Sequence, residues 1–143
     1  MSTLERAIGI AAEAHAGQSD KAGAPYILHP LRVMMKMSTV EERIAAVLHD
    51  VVEDTPWTVE SLRDEGFSET VLKALASVTR MPDEDYEAFV RRAGQDPIGR
   101  RVKQADLEDN SDLDRLPNPT ARDYERLEKY RRALATLSEM GKK

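Results

Sequence analysis

The stretch LHDVVEDT, residues 48–55, decides the fold because it ends an apolar pattern with helical spacing. Apolar residues before and within it recur at steps of three and four, which places their side chains on one face of an α-helix. These residues are Ile44, Val47, Leu48, Val51 and Val52. Ser38 and Glu41 have the spacing of a capping box and are predicted to begin this helix. The pair Thr55-Pro56 is predicted to end it.

The same stretch concentrates ionisable groups on an apolar helix. One imidazole and three carboxylates fall within the six positions 49–54, as His49, Asp50, Glu53 and Asp54. His49 and Glu53 are four residues apart, as are Asp50 and Asp54, so each pair shares a side of the helix. Buried charge is costly unless it is compensated. A bound divalent cation would compensate it, so the pattern indicates a metal site.

Helical signals extend along the rest of the chain. One amphipathic stripe runs from Leu4 to His15, and Pro30 suits the first position of a second helix. Further helices are predicted over about 58–65, 68–80, 83–93, 96–111 and 120–139. No stretch alternates with the two-residue period of a strand. We therefore predict an all-α fold, with residues 1–143 forming a single-domain bundle of about seven or eight helices.

The composition excludes several kinds of protein. A net charge of −5 disfavours nucleic-acid binding, which usually needs a basic surface. The absence of cysteine excludes disulfides and thiolate ligands. No apolar run is long enough to span a membrane, and no signal peptide is visible at the N-terminus. We expect a cytoplasmic protein with neither a nucleic-acid nor a membrane partner, and a homodimer stays open.

A second polar cluster lies in VKQADLEDN, residues 102–110, where Lys103, Asp106 and Asn110 share a helix face. His29 stands at a junction between a loop and a helix. The set His29, His49, Asp50 and Asp106 would offer two nitrogen and two oxygen ligands. That mixture suits Mn²⁺, Zn²⁺, Fe²⁺ or Co²⁺ rather than an all-oxygen Ca²⁺ or Mg²⁺ site.

The polar segments occur in a characteristic order. AHAGQ (14–18), PYILHP (25–30), LHDVVEDT (48–55) and VKQADLEDN (102–110) are joined by the weaker FSETVLKALASVTR (67–80). In this combination the sequence resembles the HD superfamily of metal-dependent phosphohydrolases. More narrowly, it resembles the hydrolase domain of RelA/SpoT-type enzymes and the stand-alone small alarmone hydrolases. The resemblance implies removal of the 3′-pyrophosphate of (p)ppGpp, which gives GDP or GTP and pyrophosphate.

The resemblance also implies roles for particular residues. The metal ligands would be His29, His49, Asp50 and Asp106, with Mn²⁺ as the expected ion. Glu53 and Asp54 would orient and deprotonate the attacking water. The substrate would meet Asn110 at its sugar or phosphate region, and Lys21 and Lys103 near its phosphates.

One departure from the family pattern concerns the first loop. The family usually places an arginine pair before the lysine of this loop, whereas Ser19 and Asp20 stand before Lys21 here. Arginine stacks on purines and binds phosphate in a way that these residues cannot. Two alternatives therefore stay open: an HD phosphohydrolase acting on another nucleotide, such as a deoxynucleotide or NADPH, and a nucleotide-binding HD protein without catalysis.

Two sets of residues outside these roles receive structural predictions. His15 continues an apolar stripe and is expected to be packed in the interior. Asp109, at the end of the second cluster, and Asp112 and Asp114, just after it, are expected to form a solvated acidic face.

Overall fold

The computed structural model describes residues 2–142, which form nine α-helices, a short 3₁₀ helix and no strand. The helices are α1 (Leu4–Ala14), α2 (Leu28–Met35), α3 (Val40–Leu48), α4 (Val51–Asp54), α5 (Val59–Asp64), α6 (Glu69–Ser77), α7 (Tyr86–Gln95), α8 (Pro97–Asn110) and α9 (Ala121–Gly141). The 3₁₀ helix, Leu113–Arg115, follows α8. The all-α prediction is confirmed, with slightly more helices than the seven or eight expected.

Helix α3 lies at the centre of the fold and packs against α1, α2, α6 and α8. Its residues 44–48 are all buried, because its polar side chains fall in the first turn. They meet Ile10, Leu72 and Leu75 in the main core. A smaller apolar cluster forms where α9 packs on α7 and α8, around Val90, Leu107, Ala133 and Leu137. The packing of α2 and α8 on α3 brings the polar segments of the chain together.

The predicted third helix is divided in the structure. Helix α3 ends at Leu48 and α4 begins at Val51, so His49 and Asp50 lie in a tight turn between them. Adjacent residues on a continuous helix point about 100° apart. The side chains of His49 and Asp50 nevertheless meet, and His49 Nε2 lies 3.1 Å from Asp50 Oδ2.

The capping box that begins α3 lies one residue later than predicted. Thr39, not Ser38, has extended backbone, and its Oγ1 accepts a 3.1 Å hydrogen bond from the Glu42 amide. Glu42 Oε1 accepts hydrogen bonds from the amides of Thr39 and Ser38, at 3.1 and 3.0 Å. Ser-Thr followed by Glu-Glu offers two equivalent registers, and the apolar pattern alone does not distinguish them.

Two other helix starts differ from the prediction. Helix α2 begins at Leu28, so Pro30 lies in its first turn rather than at its first position. Helix α7 begins at Tyr86, because Asp83 has a left-handed backbone (φ 64°) that interrupts helical geometry. Asp85 then caps α7 by accepting a 2.9 Å hydrogen bond from the Glu87 amide. Among residues 2–142, no helix combines the length and the apolar character that crossing a membrane requires.

Candidate metal centre

Four side chains from three parts of the fold converge at one point. His29 comes from α2, His49 and Asp50 from the turn between α3 and α4, and Asp106 from α8. Each offers one nitrogen or oxygen atom, and these atoms all lie within 4.8 Å of one another. The distances from His29 Nε2 and His49 Nε2 to Asp106 Oδ1 are 2.9 and 3.4 Å. The structure therefore brings together the four residues predicted from the sequence as metal ligands.

The hydrogen bonds of the two imidazoles leave both Nε2 atoms facing this point. His29 Nδ1 donates to Asp109 Oδ2 and His49 Nδ1 donates to the Ala46 carbonyl, each at 2.6 Å. In a neutral imidazole whose Nδ1 carries the hydrogen, Nε2 has a free lone pair. Two lone pairs and two carboxylate oxygens at this distance repel one another unless a positive charge lies between them. The donor set therefore fits a divalent cation.

Three neighbouring side chains hold the two carboxylates of this group. Tyr26 donates a 2.6 Å hydrogen bond to Asp50 Oδ2. Lys103 Nζ donates to Asp106 Oδ2 and Asn110 Nδ2 donates to Asp106 Oδ1, each at 3.0 Å. Burial alone raises the pKa of Asp106, but the charge of the Lys103 ammonium opposes it, and that pKa lies well below its usual range. Asp106 is therefore an anion, as a metal ligand must be.

Asp109 does not belong to a solvated acidic face, as was expected from the sequence. Its side chain is only 7 % exposed and forms hydrogen bonds with His29 and Arg32. Asp109 lies three residues after Asp106, so both carboxylates project from the same side of α8 toward α2. That spacing was a signal in the sequence, obscured by the surrounding run of acids. Asp112 and Asp114 are exposed, as predicted.

Glu53 and Asp54 lie on α4, at the outer edge of the four-residue group. Partial burial, followed by the charge of Asp50, raises the pKa of both carboxyls. The charge of Lys103 partly offsets the rise in the pKa of Glu53. The charges of His15 and His49 partly offset the rise in the pKa of Asp54. The two acids therefore face different neighbours. Both side chains are exposed, and α4 follows directly after the turn that carries His49 and Asp50.

A cleft of about 270 Å³ opens beside His29. Lys21, Tyr26, Asn110 and other polar residues line it, so two of the three predicted substrate-binding residues meet there. Lys103 is not part of this lining, and its ammonium contacts Asp106 Oδ2 at 3.0 Å. Sequence reasoning did not assign the cleft's other cationic residues, Arg115 and Arg126, or its aromatic wall of Tyr26 and Tyr130.

The first loop forms one rim of the cleft and contains Ser19 and Asp20. Asp20 Oδ1 accepts hydrogen bonds from the amides of Ala22 and Ala24, each at 2.9 Å. Its carboxylate therefore shapes the loop that carries Lys21. Behind this loop, His15 is buried with its ring centre 5.0 Å from that of Tyr26, and its Nδ1 lies 2.8 Å from Gln18 Oε1.

Comparison with known proteins identifies the family. The profile of the HD domain matches residues 7–139. The chain belongs to the HD-domain family. This membership confirms the resemblance that the ordered polar segments indicated.

Several HD-domain relatives have known names. Over 119 residues the chain is 36 % identical to a guanosine-3′,5′-bis(diphosphate) 3′-pyrophosphohydrolase of Aquifex aeolicus. The aligned region covers 75 % of this chain and 17 % of that protein. Over 76 residues the chain is 41 % identical to a protein of the same name from Haemophilus influenzae. That aligned region covers 50 % of this chain and 11 % of the relative. The chain thus spans less than a fifth of the length of these relatives.

A solved structure shows the same HD-type helical fold. It is described as a metazoan ortholog of SpoT that hydrolyses ppGpp, and it superposes with a TM-score of 0.77 at 23 % identity. The match covers 98 % of this chain and 85 % of the other. At this level of identity the likeness supports the fold, and the chemistry must be argued from the residues of this chain.

Proposed function

We propose that this HD-domain chain is a metal-dependent phosphohydrolase that removes the 3′-pyrophosphate of (p)ppGpp, releasing GDP or GTP and pyrophosphate. The observation that carries the proposal is the convergence of two imidazole Nε2 atoms and two carboxylate oxygens within 4.8 Å. The cleft beside this group is lined by the cationic side chains of Lys21, Arg115 and Arg126, which supports a phosphorylated substrate. The relatives named as 3′-pyrophosphohydrolases support the choice of (p)ppGpp.

In this proposal His29, His49, Asp50 and Asp106 hold the metal ion. The mixed nitrogen and oxygen donor set suits Mn²⁺, Zn²⁺, Fe²⁺ or Co²⁺, and the resemblance to RelA/SpoT-type hydrolases favours Mn²⁺ among them. When bound, a divalent cation polarises a phosphoryl oxygen and lowers the pKa of a water molecule. The remaining steps belong to side chains of this chain.

Glu53 and Asp54 serve the attacking water. One of these carboxylates orients the water and accepts its proton as the water oxygen forms a bond to phosphorus. The bond between that phosphorus and the ribose 3′ oxygen breaks, and the 3′ oxygen takes up a proton to become a hydroxyl group. Pyrophosphate leaves with the oxygen of the water. Both carboxyls have a raised pKa, and both are open to solvent at the edge of the group.

Three further residues neutralise or orient the substrate. Lys103 contributes positive charge beside Asp106, where the phosphate undergoing attack would lie. Lys21 and Asn110 line the cleft and would contact the phosphate and sugar regions of the nucleotide. The substrate would thus extend from the cleft across His29 to Lys103.

A second candidate function is hydrolysis of another nucleotide by the same site. The rim of the cleft presents Ser19 and Asp20, and Asp20 is fixed by its hydrogen bonds to Ala22 and Ala24. A carboxylate cannot stack on a purine or bind phosphate as a guanidinium does. This favours testing substrates such as a deoxynucleoside monophosphate or NADPH beside ppGpp.

The test is a substrate panel with metal-loaded protein. Pyrophosphate release from ppGpp supports the proposal, and phosphate release from another nucleotide in its place supports the second candidate. Binding of ppGpp without turnover in saturating Mn²⁺ would indicate a protein that only binds the nucleotide. The variant Asp106→Asn should lose both Mn²⁺ binding and hydrolysis. Full activity in that folded variant would contradict the ligand assignment.

Variants of the two outer acids separate the proton acceptor from the metal ligands. Glu53→Gln and Asp54→Asn should bind Mn²⁺ with nearly wild-type affinity. We expect kcat to fall by about 10²–10⁴-fold in whichever variant lacks the proton acceptor. Unchanged kcat in both variants would contradict the assigned role.

A further inference from the structure

A buried carboxylate lies directly behind one of the proposed metal ligands. Asp109 Oδ2 accepts a 2.6 Å hydrogen bond from His29 Nδ1, the ring nitrogen that faces away from Asp106. Among the four converging residues, Asp109 forms a hydrogen bond with His29 alone within residues 2–142. Asp109, the His29 ring and Asp106 therefore form a continuous chain from α8 to α2 and back to α8.

The Asp109 carboxylate is itself held by arginine side chains. Arg32 donates from Nε to Oδ1 at 2.7 Å and from Nη2 to Oδ2 at 3.0 Å. Arg115 Nη2 lies 3.5 Å from Oδ2 and donates a hydrogen bond to the Asp109 carbonyl. Two-point binding by a guanidinium fixes the plane of a carboxylate as well as its charge. The oxygen that faces His29 is thus held in position before any ligand binds.

A fixed carboxylate has a definite effect on a histidine beside it. A neutral imidazole carries its proton on either ring nitrogen, and the partner of one nitrogen decides which form is present. An ionised carboxylate can only accept, so Nδ1 must carry the hydrogen and Nε2 must present its lone pair. The short hydrogen bond also prevents rotation of the ring, which would turn Nε2 away from Asp50 and Asp106.

We propose that Asp109, held by Arg32, is a positioning residue for His29: it fixes the tautomer and orientation in which Nε2 can bind the metal ion. The inference deepens the proposed function and rests on its metal site. A purely structural ion pair between Asp109 and Arg32 would not require a hydrogen bond from His29. In general, removing such a partner of a metal-bound histidine costs about 10–100-fold in metal affinity.

The matched control is Glu42, a second buried carboxylate. Asp109 and Glu42 are each 7 % exposed, and each lies near an arginine, which for Glu42 is Arg101 at 3.4 Å. Glu42 caps α3 and forms no hydrogen bond or ion pair with the four converging residues among those that the structure describes. Both Asp109→Asn and Glu42→Gln remove a buried charge with little change of shape, so both should destabilise the fold.

The experiment measures Mn²⁺ binding by calorimetry on metal-free protein, after circular dichroism has shown each variant to be folded. Asp109→Asn should raise the Kd for Mn²⁺ by about 10–100-fold, whereas Glu42→Gln should leave it unchanged. The variant Arg32→Gln alters a partly exposed side chain and keeps the test available if Asp109→Asn does not fold. Arg32→Gln should raise the Kd for Mn²⁺ by a smaller factor than Asp109→Asn, because the Asp109 carboxylate remains but loses the guanidinium that holds it.

A second readout follows the His29 ring itself. In metal-free protein at a pH where the ring is neutral, ¹⁵N NMR should show hydrogen on Nδ1 in the wild type and a mixture of tautomers in Asp109→Asn. If folded Asp109→Asn had the wild-type Kd and the wild-type tautomer, the inference about Asp109 would be overturned, but the proposed metal site would stand. A wild-type chain that binds no Mn²⁺ would overturn the proposed metal site and this inference with it.

Discussion

The hydroxyl of Tyr26 donates a 2.6 Å hydrogen bond to Asp50 Oδ2 and so connects the loop before α2 with the turn between α3 and α4. The ring centre of Tyr26 lies 5.0 Å from that of His15 and 5.7 Å from that of His29. Tyr26 therefore belongs both to the wall of the cleft and to the surroundings of a proposed ligand. Tyr26 contributes a packed ring and a hydrogen bond to this region. A variant that removes only its hydroxyl oxygen separates the two contributions.

The variant Tyr26→Phe should weaken Mn²⁺ binding while leaving the fold intact. The hydroxyl fixes the orientation of a proposed ligand carboxylate, and loss of such a partner costs about 10–100-fold in metal affinity, so we expect the Kd for Mn²⁺ to rise by about 10-fold. The phenyl ring should stay packed beside His15 and His29, so the variant should fold, with a lowered melting temperature because the lost hydrogen bond is present in the metal-free chain. Calorimetric titration with Mn²⁺ measures the effect.

The control Tyr124→Phe alters an exposed tyrosine of α9 and should bind Mn²⁺ like the wild type. Equal affinity of both variants would contradict the role of the hydroxyl.

The helical architecture could be predicted from the sequence because it depends on local spacing. Apolar residues at steps of three and four define the buried face of α3, whose residues 44–48 are all buried. The turn at His49 and Asp50 could not be predicted in the same way. Val51 and Val52 continue the apolar pattern across it, so periodicity indicates one unbroken helix. The structure ends α3 at Leu48 and begins α4 at Val51, a break of two residues that the apolar spacing does not encode.

The convergence of the four proposed ligands could be expected only from the order of the motifs. His29 and Asp106 are separated by 77 positions, and no local pattern states that α2 and α8 meet across α3. Asp109 shows the limit of reasoning from composition. Its acidic neighbours suggested solvent exposure, but its position three residues after Asp106 places it against Arg32 and His29. Its surroundings depend on a distant arginine, which a one-dimensional pattern does not reveal.

The register of the capping box at α3 gives a test by single substitutions. Thr39→Ala removes the acceptor for the Glu42 amide and should lower the free energy of unfolding by about 0.5–2 kcal/mol. Ser38→Ala should cost much less, because the Ser38 side chain lies outside this capping interaction. Urea unfolding of both variants measures the difference. A larger loss in Ser38→Ala would favour the register predicted from the sequence.

Two glycines in helices should respond in opposite directions to alanine. A Cβ at Gly99 of α8 would lie 2.0 Å from Ser77 Oγ and 3.1 Å from the Ala93 carbonyl, so α8 would have to shift away from α6 and α7. We expect Gly99→Ala to lower the free energy of unfolding by about 1–3 kcal/mol. At Gly9 of α1 a Cβ would meet nothing within 4 Å, and Gly9→Ala should add about 0.5–1 kcal/mol through helix propensity. Urea unfolding should rank the chains Gly9→Ala, wild type, Gly99→Ala, and the reverse order would contradict the packing of α8.

The ion pair between Glu84 and Arg92 predicts how stability depends on pH. Arg92 Nε donates to Glu84 Oε2 at 2.8 Å and Nη2 donates to Oε1 at 2.9 Å. These bonds, followed by one from the Met81 amide, lower the pKa of Glu84 from 4.5 to about 2. Because the pKa is lower in the folded chain, the carboxylate stabilises the fold fully above the unfolded value of 4.5. That contribution should be lost as the pH falls from 4.5 to about 2.

The variant Glu84→Gln isolates this contribution from other groups that titrate at low pH. The difference in unfolding free energy between wild type and Glu84→Gln should be constant near neutral pH, because Glu84 is ionised there in both folded and unfolded chains. It should shrink as the pH falls below the unfolded pKa, since protonation removes the charge that Arg92 binds. Urea unfolding at a series of pH values gives both curves. Parallel curves down to the acid limit would show that the charge of Glu84 does not stabilise the junction between the α6–α7 loop and α7.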